Sequence, residues 1–414
     1  AGEYALTARG STGTARGELS LNAPFTAETI AGALTLDLTQ ATFPLPGFPN
    51  AAPNDLKLTF RADHLLAPNV PATLDLSLAA ASWLGAPLRL TTRTELTATD
   101  RQPASVELKT YEHGVTRLQG RFVQRDALRQ EISLTGSTLD LTPLMRFGLA
   151  AADAFAATPP PATSAAPLAT PAAAPLATPG PPALVSVDVR IDHLLFGPGQ
   201  TAQQLELHTR LENNWPATLT LQAVAGADNR LSAELSGPAD RQKLKLTIGA
   251  AADWMRTLTA PWSAAPPPPG QFGSLVVQLM KVPSIVAGGG ITAEAELRRR
   301  ETDWLQGSFK LTRATMVRPP RVLQLLALKT GKTLQQSPLI EEFSIGQVSL
   351  SQSELRVSTI ALAGSGLIDR LKIKSASYGL ADDRLYIDGE YFAVGFEIKN
   401  TLAKPEFWGK DSNL

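Results

Sequence analysis

The chain has 414 residues, with 38 basic and 38 acidic side chains and no formal net charge at pH 7. Balanced charge without a basic stripe argues against a nucleic-acid partner and against a strong electrostatic hold on an anionic membrane surface. The absence of cysteine excludes a disulfide framework, thiolate metal sites and cysteine nucleophiles, and fits a chain that avoids thiols in an oxidising compartment.

A chain of this length holds two or three units. No apolar run reaches the roughly 18 residues that a membrane-spanning helix needs. Ala1 leads straight into strand-like sequence, so no signal peptide is expected. An exported form would be a mature chain or a fragment that has lost its anchor.

From the N-terminus the dominant pattern is strict alternation of apolar and polar residues, the period of a strand with one wet face. It appears at Leu34–Leu38, Leu56–Phe60 and Leu74–Leu78. It recurs at Leu205–Leu207, Leu219–Leu221, Leu231–Leu235 and Leu244–Ile248. The last third adds Phe309–Leu311, Val348–Leu350, Leu355–Val357, Leu371–Ile373 and Leu385–Ile387. Turn residues at Asn54-Asp55, Gly114, Gly136, Gly226–Asn229 and Ala381–Asp383 divide these runs. The apolar positions are mostly aliphatic, and aromatics make up only 6% of the chain. A long greasy face fits that composition better than an aromatic-rich sandwich core.

Three segments depart from the strand pattern. Residues 144–157 have helical spacing after a Thr142-Pro143 start, Trp254–Leu258 reads as a short helix, and Arg321–Gly331 reads as an amphipathic one with a glycine C-cap. The last reads as a cover over one end of a sheet; plugging a groove or lying on a membrane is its functional alternative. Residues 156–182 are Ala/Pro/Thr-rich and read as a linker or exposed insertion. They separate an N-terminal β segment, 1–155, from a C-terminal β domain, 183–414, with its helix near 320–331. A weak echo links Arg61–Leu66 with Arg190–Leu195, as a divergent duplication of strand groups would.

No catalytic constellation emerges. His64 and His193 each follow an aspartate, an arrangement suited to acid–base work or metal binding. Neither has a second ligand cluster nearby, and both read as strand-end polar pairs; His113 and His208 stand apart from them. Gly288–Gly290 lacks the lysine and the strand-to-helix setting of a phosphate loop and reads as a tight turn. Gly364-Ser365-Gly366 falls short of a nucleophile elbow. Arg298–Arg300 reads as a solvated strand end, and Glu341-Glu342 and Asp382-Asp383 as exposed loop residues.

One resemblance rests on the order of short motifs. Lys245–Leu258 is followed by a Pro-rich break, then Gly307–Ala314, the helix Arg321–Gly331, Phe343–Gly346, Leu355–Val357, Leu362–Gly364 and Ile387–Gly389. This order resembles the C-terminal region of AsmA-like proteins of the Gram-negative envelope, the family of periplasmic bridge-like lipid transport proteins. Gly120–Phe122 and Leu139–Leu144 resemble pieces that recur in them. The resemblance implies a mainly β fold: a long twisted antiparallel sheet forming an open, U-shaped trough with a few short covering helices. It further implies a non-catalytic periplasmic protein, tethered to the inner membrane through an anchor absent from this chain. Such a protein binds phospholipid acyl chains and acts between inner and outer membranes in outer-membrane integrity; outer-membrane assembly proteins are a further candidate partner of this chain, and no cofactor and no metal are expected.

On that reading the groove-lining residues are Leu74, Leu76, Leu78, Leu219, Leu221, Leu244, Leu246 and Ile248, with Leu325 and Leu326 on the covering helix. Two other functions fit the pattern less closely. One is a scaffold or assembly factor for outer-membrane proteins that adds a partner strand at a sheet edge. The other is a glycan-binding or glycan-modifying β-solenoid enzyme, against which the five tyrosines and six scattered tryptophans argue.

Overall fold

The computed structural model describes residues 2–10, 13–21, 29–41, 55–83, 85–146, 183–197, 199–212, 215–226, 229–238, 240–262, 276–277, 280–281, 284–298, 303–318, 338–351, 354–365, 371–379, 382, 384–391, 394–401 and 405–410. The fold is mainly β, and every alternating run of the sequence lies in a strand. The helix at 321–331, with Leu325 and Leu326, and the Ala/Pro-rich stretch lie outside the described residues. Residues 142–146 and Ala251–Thr259 are helical, whereas 147–157 lie outside the described residues. No described helix is long and apolar enough to cross a membrane.

The chain divides into two compact units, residues 1–195 with 207–214, and residues 196–206 with 215–414. The first unit contains β1 (Gly2–Gly10), β2 (Gly13–Leu21), β3 (Thr29–Ala41), β4 (Leu56–Asp63) and β5 (Ala72–Trp83). It continues with β6 (Ala86–Leu96), β7 (Pro103–His113), β8 (Thr116–Asp126), β9 (Arg129–Asp140) and β10 (Leu184–Leu195). Each of β1 to β9 pairs antiparallel with the next. β10 joins β9 in parallel, a geometry that requires a long connection between the two strands, which residues 141–183 supply. The ladder therefore continues past the Ala/Pro-rich stretch, and the units divide after Leu195. β11 (Thr201–Glu212) contributes residues to both units.

The second unit contains β12 (Trp215–Ala225), β13 (Asn229–Ser236), β14 (Arg241–Ile248), helix α1 (Ala251–Thr259) with a 3₁₀ turn at Ala260–Trp262, β15 (Val286–Arg298) and β16 (Leu305–Met316). Then come β17 (Leu339–Leu350), β18 (Glu354–Gly364), β19 (Leu371–Gly379), β20 (Leu385–Tyr391), β21 (Val394–Asn400) and β22 (Pro405–Gly409). From β12 to β22 each strand pairs antiparallel with the next. Among the described residues no pairing joins first strand to last in either unit, so both sheets stay open.

Within the second unit the sheet curls toward its apolar side. Ala314, Met316 and Ile340 on β16 and β17 are buried against Tyr391, Phe396 and Ile398 on β20 and β21, strands that are not ladder neighbours. The bend is built from local irregularities. The β15–β16 pairing skips Gly289 and Arg313, both at positive φ (84° and 54°). A Cβ on Gly289 would lie 2.9 Å from Leu311 Cδ1. Gly288–Gly290 thus lies inside a strand rather than in a turn, at an unpaired kink across which the register is kept, and glycine is needed there for backbone conformation and close approach. Thr359 on β18 is also at positive φ, 56°, and β18 pairs with β19 only from Glu354 to Ser358.

Two further expectations change. Gly136 lies inside β9, where a Cβ would sit 2.6 Å from Leu118 Cδ2 and 3.3 Å from Ile191 Cδ1. It admits neighbouring side chains and does not turn the chain. Glu341 and Glu342 belong to β17, with Glu342 paired to Lys310 Nζ at 2.8 Å. Gly307, opposite Ala295, shows how tight some pairings are, because a Cβ there would lie 2.8 Å from Ala295 Cα. Backbone cannot retreat as a side-chain tip can. Gly307→Ala is expected to cost about 1–3 kcal/mol, read as a lower urea midpoint for the second unit.

Candidate functional site

The cross-strand register turns separate alternating strands into two continuous faces. Residues directly opposite in an antiparallel pair share a face with Cβ atoms about 5 Å apart, so a row can be followed strand by strand. In the first unit one row runs Ile30–Ala62–Leu74–Thr94–Val106–Phe122–Ile132 and reaches Val187 on β10. A second passes through Phe60, Leu76, Thr92, Leu108 and Leu134. A third links Leu58, Leu78, Leu90, Tyr111 and Leu118.

The opposite face carries charge. Arg61, Asp75, Arg93, Glu107 and Arg121 are successive register partners of alternating sign, and Lys109 adds an ion pair to Asp75 at 3.2 Å.

The second unit repeats the arrangement. Leu221, Ala233, Leu246, Ala293, Phe309, Ile345 and Ile360 form one apolar row from β12 to β18. Beside it, Leu219, Leu235, Leu244, Ala295, Gly307, Val348 and Val357 form another, which continues through Ala376 and Ile387 to Ile398. The intervening residues, Thr220, Glu234, Lys245 and Glu294, face the other way.

Of the eight described lining candidates, Leu74, Leu76 and Leu78 share a face of the first unit. The other five share a face of the second, where Leu219 and Leu221 connect to Leu244 and Leu246 through β13. Seven of the eight are half-buried, so the rows carry apolar surface still open to a ligand. Ile248 is the exception, 6% exposed. It lies between Leu231 and Ile291 at the end of the rows, where α1 packs against β15 and β12. Trp254 of that helix is 2% exposed, and its indole N–H donates to the Asn229 carbonyl at 3.1 Å.

The face therefore has a dry end under α1, a second packed region at the Ala314–Tyr391–Phe396 cluster, and half-open leucine rows between them. Ile345 and Ile360 belong to these rows, and Val106 and Phe122 to those of the first unit, although alternation alone does not single them out. Only the register places them.

The chemistry-bearing residues scatter. His64 sits at positive φ in the turn after β4. Its neighbour Asp63 feels some desolvation, which raises its pKa. Hydrogen bonds from Thr29 and Arg61, together with the charges of Arg61 and His64, outweigh this and hold the carboxyl below its ordinary value. His193 is exposed on β10, His208 bonds Asp188 at 2.5 Å, and His113 bonds the Trp83 carbonyl at 2.7 Å and packs on its ring. Among the described residues no cluster of three or more His, Asp or Glu could hold a metal ion.

The strongest electrostatic feature lies on the wet face. The Arg241 guanidinium, followed by Arg298, holds the Glu296 carboxyl at about 2, against an ordinary 4.5. A depressed carboxyl pKa stabilises the fold fully above the unfolded value and loses that contribution as the pH falls toward the folded one. The window here is about pH 4.5 to 2. Glu296→Gln is therefore expected to narrow the gap between urea midpoints at pH 7 and pH 3, less so at high salt because the pair is solvent-exposed.

Comparison of the chain with protein-family models, curated proteins and solved structures finds no match.

Proposed function

We propose that this chain is a non-catalytic, lipid-binding part of a Gram-negative envelope bridge, which holds phospholipid acyl chains on the apolar faces of its open sheets. The observation that carries this reading is the run of mainly apolar rows across β3–β10 and again across β12–β18, half-open at most of their leucines and buried at Ala62, Ala233 and Leu235, each backed by a charged face. Water leaves an acyl chain with a gain of about 0.8 kcal/mol per CH₂, so a continuous apolar strip suffices and no specific polar pocket is needed. At about 4.8 Å per strand, the eight strands β3 to β10 carry such a strip for about 34 Å. Head groups stay in solvent at the open side. The motif order, which resembles that of AsmA-like proteins, supports a periplasmic setting between the two membranes.

Native mass spectrometry of the chain purified without detergent from a Gram-negative host tests the reading. Stoichiometric bound phospholipid is the expected result, and a folded, lipid-free chain contradicts it.

One observation favours a second reading, an assembly scaffold. Among the described residues, Thr359–Gly364 of β18 have no pairing on the β19 side, an edge that an extended partner segment could join by β-augmentation. A lipid-free chain that captures a peptide strand along β18 would favour it.

A further inference from the structure

Trp408 is a large aromatic side chain on the wet face of the sheet. It lies opposite Glu397 on β22, on the charged face, and is 56% exposed, whereas Trp254 and Trp262 are buried. The register places a second aromatic on the same face, two strands away. Ile387 on β20 is opposite Ile398 on β21, so Tyr386 and Lys399, one residue along in each strand, share the wet face. Lys399 Nζ sits 5.7 Å from the Tyr386 ring centroid, and the Tyr386 hydroxyl donates to Glu397 Oε1 at 3.1 Å.

These residues line an open concavity of about 900 Å³ together with Asp382, Arg384, Asn400 and Glu406. Tyr386, Lys399, Glu406 and Trp408 lie on the side of the sheet away from the acyl-binding rows, whereas Leu385, also in the lining, packs against the apolar cluster.

We propose that this concavity binds a neutral saccharide. The lining cations are already answered, Lys399 by Glu397 at 2.5 Å and Arg384 by Asp382 at 3.5 Å, and Glu354 is paired with Arg356 at 2.8 Å, while Glu406 accepts from the neutral Asn400 amide at 3.1 Å. A phosphate group calls for uncompensated cations in a fork, and none is offered; a basic peptide calls for a cluster of uncompensated carboxylates, and Glu406 stands alone as one. A hydrocarbon chain has no use for the polar fringe. What remains is a ligand with apolar C–H faces for the Trp408 and Tyr386 rings and many hydroxyls, which donate to carboxylates, accept from a guanidinium and do both with an amide. The sequence scatters its aromatics, but the fold sets two of them on one wall.

The test is an array of neutral oligosaccharides of two to six sugars, probed with the purified chain, followed by calorimetric titration with the strongest binder. Trp408→Ala is expected to weaken binding roughly tenfold and Trp408→Tyr, which keeps a ring, about threefold or less. Both variants should keep the wild-type melting temperature, because the side chain is mostly exposed. An array without signal, or undiminished affinity in Trp408→Ala, overturns the proposal.

Discussion

Leu246→Asp and Leu76→Asp should each leave a folded chain that has lost most of its bound phospholipid from the unit mutated. Leu246 lies mid-row between Ala233 and Ala293, and Leu76 between Phe60 and Thr92. Both are half-buried, so a carboxylate there keeps contact with water and costs the fold about 1–3 kcal/mol rather than the full penalty of a buried charge. For a bound acyl chain the carboxylate interrupts the strip at its middle. Every CH₂ within its hydration shell loses about 0.8 kcal/mol, so three or four such groups amount to roughly a hundredfold loss of affinity.

Thr247→Asp and Ser77→Asp introduce the same charge one residue along, on the wet face beside Ser232, Thr292, Thr59 and Thr91. These controls should bind lipid as the unmodified chain does. Equal loss in all four variants would mean that charge disturbs the fold and not the face.

Trp254→Ala is expected to have the largest effect on stability. The side chain is among the largest fully buried ones, and removing a buried Trp costs about 3–5 kcal/mol. The Asn229 carbonyl also loses its indole donor, at about 1 kcal/mol more. Against the 5–15 kcal/mol that holds a domain together, this is a large fraction. Because two units need not unfold in one step, the readout is amide hydrogen exchange resolved by strand. Protection in β12–β15 should fall by two or more orders of magnitude, while β4–β8 keep theirs. Unchanged protection in β12–β15 would mean that α1 does not hold that end of the sheet.

The strands are legible in the sequence because one face is wet. Segments such as Leu244–Ile248 and Leu74–Leu78 alternate strictly, and each forms a strand of a one-sided sheet. The irregular positions are hidden for a physical reason. Glycine marks a turn, a bulge or a close approach equally well in sequence, and only the partner strand tells them apart. Gly114 does turn the chain at φ 57°, Gly289 kinks a strand that keeps its register, and Gly136 admits Leu118 and Ile191. Glu341 and Glu342 look like loop residues because two charges interrupt the alternation, yet β17 absorbs them by a register shift between Ile340 and Glu342.

The break at 156–182 is visible as composition, but the parallel pairing of β9 with β10 across it is long-range and leaves no local trace. For the candidate face, alternation is enough to name the leucines of single strands. It is not enough to name the rows they join, since Phe309, Ile345 and Ile360 meet Leu246 only through the register of successive pairings from β14 to β18.

Site-specific photo-crosslinking tests the central claim most directly. A photoreactive phenylalanine analogue is placed in turn at Lys243, Leu244, Lys245, Leu246 and Thr247 of β14, and the chain is irradiated in cells. Phospholipid adducts at 244 and 246, and none at 243, 245 and 247, are the expected result, a period of two that only a lipid lying on one face of the sheet produces. Adducts at all five positions, or at none while the chain is folded, contradict it.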